Sequence, residues 1–327
     1  MKRLLLLLGL LLSPLLFAAP AMAQLDGTRV YWPLPKNMNI LAVHAVSGTV
    51  NATLTNLNFI QPSLDLENQL YLLTYTRSQP IFGRSFMVTA SLPAGVIKTD
   101  SSLPLLTNDP FVHGIGDPSL SATINLFGAP GLMLREYARY DLRTVAWLSV
   151  NTTFPLGQYD AEEPLNVGSN QTKVRFAVPI VQAFGPWVAG DRTTLEVTPS
   201  LTWLSDNDDN QGQTVEQDPM LAVESHLTRD ITRNAALSLD YSYIRFGEST
   251  RTDNNSGALV GITEAQASHL LGLTLNVKIN DNLSLFATHM QTVGGKDTPV
   301  ALEGALFRAT LTWSFHRVIE RRRAFIE

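Results

Sequence analysis

HLLGLTLNVKIN, residues 269–280, is the stretch on which the fold turns. Leu271, Leu273, Leu275, Val277 and Ile279 alternate with Gly272, Thr274, Asn276, Lys278 and Asn280. A period of two puts the two sets on opposite faces of a strand, whereas an amphipathic helix would space its apolar residues by three and four. TTLEVTPSLTW (193–203) repeats the pattern, with Leu195, Val197, Pro199, Leu201 and Trp203 against Thr194, Glu196, Thr198, Ser200 and Thr202. ALFRATLTWSF (305–315) does so again, with Phe307, Ala309, Leu311, Trp313 and Phe315 on one face.

Noisier alternation runs through 39–47, 70–77, 86–92, 119–126, 146–154, 173–181, 220–227, 235–243 and 282–293. The count comes to about twelve strands of roughly seven to twelve residues, close to the length of a tilted transmembrane strand. Only 132–143 is ambiguous with a helix. From 155 onward the connections alternate long and short: 157–171, 185–192, 206–217, 228–234, 247–266, 280–282 and 294–304. Outer-membrane barrels sort their connections this way, with long external loops and short periplasmic turns.

The N-terminus supplies the context. Lys2 and Arg3, an apolar core from Leu4 to Phe17 and the small-x-small Ala21-Met22-Ala23 read as a cleaved secretory signal peptide. After it no apolar run is long enough to span a bilayer as a helix. Charged residues are 16% against 45% hydrophobic, below the charge content of an ordinary soluble domain. A net charge of −5 without a basic stripe argues against a nucleic-acid partner. The absence of cysteine removes disulfides, thiolate metal sites and cysteine catalysis.

In a soluble sandwich the apolar face points inward; in a membrane barrel it meets lipid and the polar face lines the lumen. With the apolar face outward, the lumen receives Lys173, Arg175, Glu196, Glu224, His226, Asp240, Lys278 and Arg308. Their mixed signs fit a salt-bridged interior or a field that selects a solute. Trp203, Tyr241, Tyr243, Trp313 and Phe315 read as interface anchors near strand ends.

GIGDPSLSATINLFGAPGL (114–132), FPLGQYDAEEPLNVGSN (154–170), FGPW (184–187) and WLSDNDDNQGQTVEQDP (203–219) resemble, in order, blocks of the exported bacterial family named for the MetA-pathway of phenol degradation. The resemblance extends over most of 38–315 and implies a transporter-like outer-membrane barrel, with no catalytic residues to carry over. The blocks fall on loops and strand ends, which places them at the barrel rims.

Other chemistries find little footing. Asp206, Asp208, Asp209 and Asp218 make a rim or loop cluster, but a calcium loop of the EF-hand type would need Gly where Gln211 stands and Glu where Gln217 stands. The bland reading is a solvated loop tip. The six histidines, His44, His113, His226, His269, His289 and His316, are never paired at i, i+4, so no zinc site is expected. A lipid hydrolase would need a base beside a nucleophile; His269 and His289 could share a rim, but no G-x-S-x-G elbow accompanies them.

The expectation is therefore an all-β chain: a single antiparallel transmembrane β-barrel of about twelve strands. The signal peptide would occupy 1–23, a periplasmic N-terminal segment 24–37, the barrel 38–315 and a periplasmic tail 316–327. It would sit in the outer membrane, require no cofactor or metal, meet outer-membrane lipid, and pass a small solute, with hydrophobic or aromatic ones among the options. The alternative is a non-transporting structural or adhesion-like barrel working through its long loops, 247–266 included.

Overall fold

The computed structural model describes residues 26–50, 66–99, 111–163, 165–294 and 304–316. The expected signal peptide, the tail beyond His316 and the greater part of the 294–304 loop lie outside them.

The chain enters the wall at β1 (Met38–Val50) and continues through β2 (Leu66–Ile81), β3 (Arg84–Thr99), β4 (Phe111–Ile115), β5 (Ser119–Phe127) and β6 (Thr144–Thr153). Next come β7 (Lys173–Ala177), β8 (Ile180–Phe184), β9 (Thr193–Leu204), β10 (Asn207–Asn210), β11 (Gln213–Gln217), β12 (Met220–Thr232) and β13 (Ala235–Phe246). β14 (Ser249–Asp253), β15 (Leu259–Thr263), β16 (Gln266–Lys278), β17 (Leu283–Gly294) and β18 (Gly304–His316) complete it. Fourteen of these strands form one antiparallel sheet that closes on itself, β18 pairing with β1 from Met38↔His316 to Val50↔Gly304. β4 and β5 share one stave, as do β7 and β8, so the described wall has twelve staves.

The faces are inverted relative to a soluble protein. Along β16, Leu271, Leu273 and Leu275 are exposed while Ser268, Thr274 and Asn276 are buried; Leu273 is 52% accessible and Thr274 2%. Along β9, Leu201 and Trp203 stand out while Thr194, Glu196, Thr198, Ser200 and Thr202 are buried. A closed ladder with an apolar exterior satisfies every wall hydrogen bond internally and suits lipid rather than water. The chain is a transmembrane barrel of the outer-membrane type.

Two staves are interrupted for local reasons. Pro179 has no N–H to give the ladder, yet register carries across it, from Ala177↔Ser200 to Ile180↔Val197, so 173–181 is one stave as the alternation implies. At Gly116-Asp117-Pro118 the register does slip: Ile115 faces Ala94 but Ser119 faces Ser91. One extra residue makes a bulge and reverses the inward parity, so Phe111 and Ile115 point out above it and Leu120 and Leu126 below it.

The long-and-short sorting has one departure, the 128–143 connection on the turn side. It carries a single helical turn, α1 (Leu134–Tyr137), which resolves the ambiguous 132–143 stretch. On the opposite rim the acidic stretch is more ordered than a solvated tip. β10 and β11 form a hairpin that pairs with β14, and β14 with β15, in a four-stranded external sheet above the staves they extend.

The segment expected in the periplasm, 24–37, departs from that placement over its described part. Asp26 to Trp32 lie inside the wall, hydrogen bonded to β9 and β12, because the inward carboxylates there give backbone N–H groups the partners that water would otherwise supply. We call this stretch the strap. His316, assigned from sequence to the tail, is the last residue of β18 and pairs through Nε2 with the Lys36 carbonyl at 2.9 Å.

Candidate lumen site

β9, β12, β13 and β7 place their inward residues in rows, and those rows decide where the strap binds. Glu196 and Glu224, 2% and 1% exposed, face each other obliquely across neighbouring staves, since His226 is opposite Glu196. The Arg29 backbone N–H donates to Glu196 Oε2 at 2.9 Å and the Trp32 indole to Oε1 at 3.0 Å. The Asp26 backbone N–H donates to Glu224 Oε2 at 3.0 Å. Arg175 donates to both Asp26 carboxylate oxygens at 2.9 Å and to Glu224 Oε1 at 3.1 Å. His226 Nδ1 meets Asp240 Oδ1 at 2.8 Å, and Asp240 also accepts from the Ser238 and Thr274 hydroxyls.

Five sequence candidates, Arg175, Glu196, Glu224, His226 and Asp240, are thus one network around the strap. Arg308 lies against its start: Gly27 has φ +92°, a backbone conformation that favours glycine, and a Cβ there would fall 2.4 Å from an Arg308 guanidinium nitrogen, the movable end of that side chain. Lys173 is buried near the external end of its stave and lines the same interior. Lys278 is different. Its position keeps the inward parity, but the strand ends there, and the ammonium turns to Asp281 at 2.6 Å in the 279–282 turn, holding that carboxyl below its usual range. It is a rim residue, not a lumen one.

Sequence reasoning missed Asp26, Arg29, Trp32, His44, Asp117 and Asp230. Asp230 bonds Arg29, and lies 3.6 Å from Arg192. It shares the parity of His226 and Thr228, so extending the 220–227 strand by three residues would have found it. His44 sits between Thr310 and Thr74 hydroxyls at 2.9 and 3.3 Å and was legible by parity too. The strap has no periodicity, and nothing local marks its partners.

At the turn side the strap is latched by stacking. Trp32 and Trp187 rings lie 4.9 Å apart; the Arg29 guanidinium is 4.3 Å over Trp32 and that of Arg192 5.0 Å over Trp187. The FGPW block contributes Trp187. The other blocks lock the external rim: Asp117 accepts from the Gly157 and Ser169 backbone N–H groups at 2.9 and 2.8 Å and from the Ser169 hydroxyl at 2.6 Å. Tyr159 donates to the Asp209 carbonyl, and buried Asn207 donates to the Tyr159 hydroxyl. Asp206, Asp208, Asp209 and Asp218 remain exposed, and among the described residues no three acidic or histidine side chains gather as metal ligands.

Opposite the strap the lumen is open. A cavity of about 630 Å³ runs between the strap and the inner faces of β1–β3, β5–β7, β17 and β18. Its wall mixes hydroxyls such as Thr74, Thr89, Ser121 and Thr310 with apolar side chains such as Ile40, Leu72, Met87 and Phe286. Toward the external end the inward residues become apolar, Val46, Leu70, Leu204, Met220, Leu270 and Leu306 among them, packed as a collar.

His269 and His289 do not face a serine. His269 lies on the outer face within 2.8 Å of the Tyr241 hydroxyl and 5.1 Å from the Tyr243 ring, and His289 is exposed beside Leu273 and Phe307. Trp203 and Trp313 are likewise half-exposed outward, at opposite ends of the wall, as interface anchors should be.

With wall, strap and locked rim in place, the comparison with known families is decisive. The model of the family described as "Putative MetA-pathway of phenol degradation" matches residues 48–308. The chain belongs to that family. Among solved structures it resembles the COG4313 outer membrane channel from Pseudomonas putida F1, with a TM-score of 0.71 and 17% identity over 89% of this chain and 100% of that one. That likeness establishes the fold. Two further barrels are far more distant and carry no argument: the TodX deltaS2S3 mutant monoaromatic hydrocarbon channel (TM-score 0.44, 8% identity, 92% and 96% covered) and the transport unit of the autotransporter AIDA-I from Escherichia coli (0.43, 10%, 90% and 93%). No curated protein sequence matches the chain.

Proposed function

We propose that this family member conducts a small solute passively across the outer membrane, along the space between the strap and the open wall. The observation that carries the reading is the cavity of about 630 Å³ left beside a strap that is bonded to one side of the lumen. Side chains alone fill a barrel of about eight strands, whereas the twelve described staves enclose more room, of which the strap takes one side and the cavity the other. The similarity in fold to an outer membrane channel supports the same reading. No chemistry is assigned to His269 or His289, whose surroundings hold tyrosines and lipid-facing leucine rather than a nucleophile.

The alternative, a silent barrel that binds a partner through its loops, draws on the external sheet, where Leu259, Val260 and Ile262 are exposed. Planar bilayers decide between them. Discrete conductance steps from the purified full chain are expected. A silent barrel whose cell binding is lost on deleting 249–263 would overturn transport in favour of adhesion.

A further inference from the structure

The four-stranded external sheet has two edges, and they differ. At the β10 edge the Gln211 backbone N–H donates to the Ala161 carbonyl at 2.7 Å and the Tyr159 hydroxyl to the Asp209 carbonyl at 2.9 Å, so the connection between β6 and β7 lies against it. The other edge is β15, paired with β14 on one side and with no strand on the other among the described residues. Alternate backbone N–H and C=O groups of β15 therefore lack a ladder partner. Edge strands are commonly blunted by charge or proline, and LVGIT, residues 259–263, holds neither. A register shift at Val260 sets Leu259 opposite Thr252 and Ile262 opposite Thr250, so both apolar side chains share one face, 60% and 55% accessible. At Gly261 nothing lies within 4 Å of the place a Cβ would take, which leaves room for another backbone to approach. The surrounding rim is acidic: residues 205–219 and 247–265 hold eight carboxylates and one basic side chain, Arg251. Glu216 stands in the same row as Thr250 and Ile262, and Glu248 and Glu264 flank the end of the ladder beside Ser249↔Thr263. All three are exposed, and none forms an ion pair among the described residues.

From the bare edge, its apolar face and the acidic surround we infer that β15 is a docking edge for an extended, basic segment of another polypeptide, added as a fifth strand; the inference goes beyond transport and holds whether or not the barrel conducts. The ladder supplies main-chain hydrogen bonds, apolar side chains of the incoming strand cover Leu259 and Ile262, and its cations meet Glu216, Glu248 and Glu264. A lipid chain would leave the open backbone groups of the edge unpaired. A second copy does not fit either. Two barrels inserted the same way direct β15 alike along the membrane normal, whereas identical edges pair about a twofold axis only when they run antiparallel.

The test uses the full chain in lipid nanodiscs and the end-blocked peptide KTVTVTK, which reads the same in both directions and puts its valines and lysines on one face. Saturable binding by fluorescence anisotropy and slower hydrogen exchange at the amides of 259–263 are expected. Glutamate in place of both peptide lysines should weaken binding about tenfold or more. N-methylation of alternate peptide nitrogens should remove the exchange protection, because it blocks the ladder. Ile262→Lys, at an exposed position, should abolish binding, and Ile262→Val should keep it. No binding of KTVTVTK, equal binding of the glutamate peptide, equal protection by the N-methylated one, or full affinity in Ile262→Lys would overturn the inference. So would 259–263 amides already protected before peptide is added, whether lipid, this chain or a second copy covers them. Bilayer recordings keep the two readings apart. A silent barrel that binds the peptide overturns transport and leaves the docking edge, whereas a conducting barrel that binds none does the reverse.

Discussion

The strap wall and the open wall are built from the same alternating staves, yet only one of them carries a network of carboxylates. On the strap wall Glu196, Glu224, Asp230 and Asp240 are buried and each is matched by a guanidinium, an imidazole or a backbone N–H. On the open wall threonines and serines mix with apolar side chains around a cavity. The difference teaches that inward parity only delivers a residue to the lumen; what the residue does there depends on whether another chain segment lies against it. Buried carboxylates fix a strap, and neutral hydroxyls leave a passage.

Removing one member of the strap network should be the most costly change. Asp240→Asn leaves His226 only the longer 3.7 Å contact to Glu224 as an ion pair and is expected to lower stability by about 3 kcal/mol in urea unfolding of the lipid-reconstituted barrel. Ser121→Ala on the open wall should change it by no more than about 0.5 kcal/mol; equal costs would erase the distinction between the walls. Leu273→Arg tests the exterior against both, with an expected loss of about 2–4 kcal/mol in the same titration, because the charge enters lipid. If that variant were neutral, the apolar face would not be facing lipid.

Smaller effects sharpen the comparison at the ends of the barrel. Trp187→Ala removes the stack on Trp32 and should cost about 1 kcal/mol, with noisier single-channel current as the strap loosens at its latch. Asp208→Ala, outside both walls, should leave stability within about 0.5 kcal/mol and produce no change in calcium calorimetry. A calcium heat lost in that variant would restore a cation role to the acidic loop.

Much of this architecture was legible because lipid enforces the period. Leu271, Leu273 and Leu275 had to share a face, and the twelve staves, the inverted faces and the deep placement of Glu196, Glu224 and Asp240 followed from counting by two. Parity failed where a strand stops, as at Lys278, and where a bulge shifts it, as at Asp117. It was silent on the strap, since Asp26–Trp32 is aperiodic and its bonds to Glu196, Asp230 and Glu224 close loops of more than 150 residues. The external sheet was hidden for a similar reason: β11 pairs with β14, a partner that a polar, amide-rich stretch does not announce.

The central claim is that the strap occupies one side of the lumen while solute passes along the other. The most direct measurement compares single-channel conductance of the full chain with that of a variant in which Arg29, Tyr31 and Trp32 are all replaced by alanine. Small, regular steps are expected from the former and clearly larger ones from the latter, because the strap loses its indole and guanidinium anchors and no longer covers the carboxylate wall. Identical conductance in the two would contradict it.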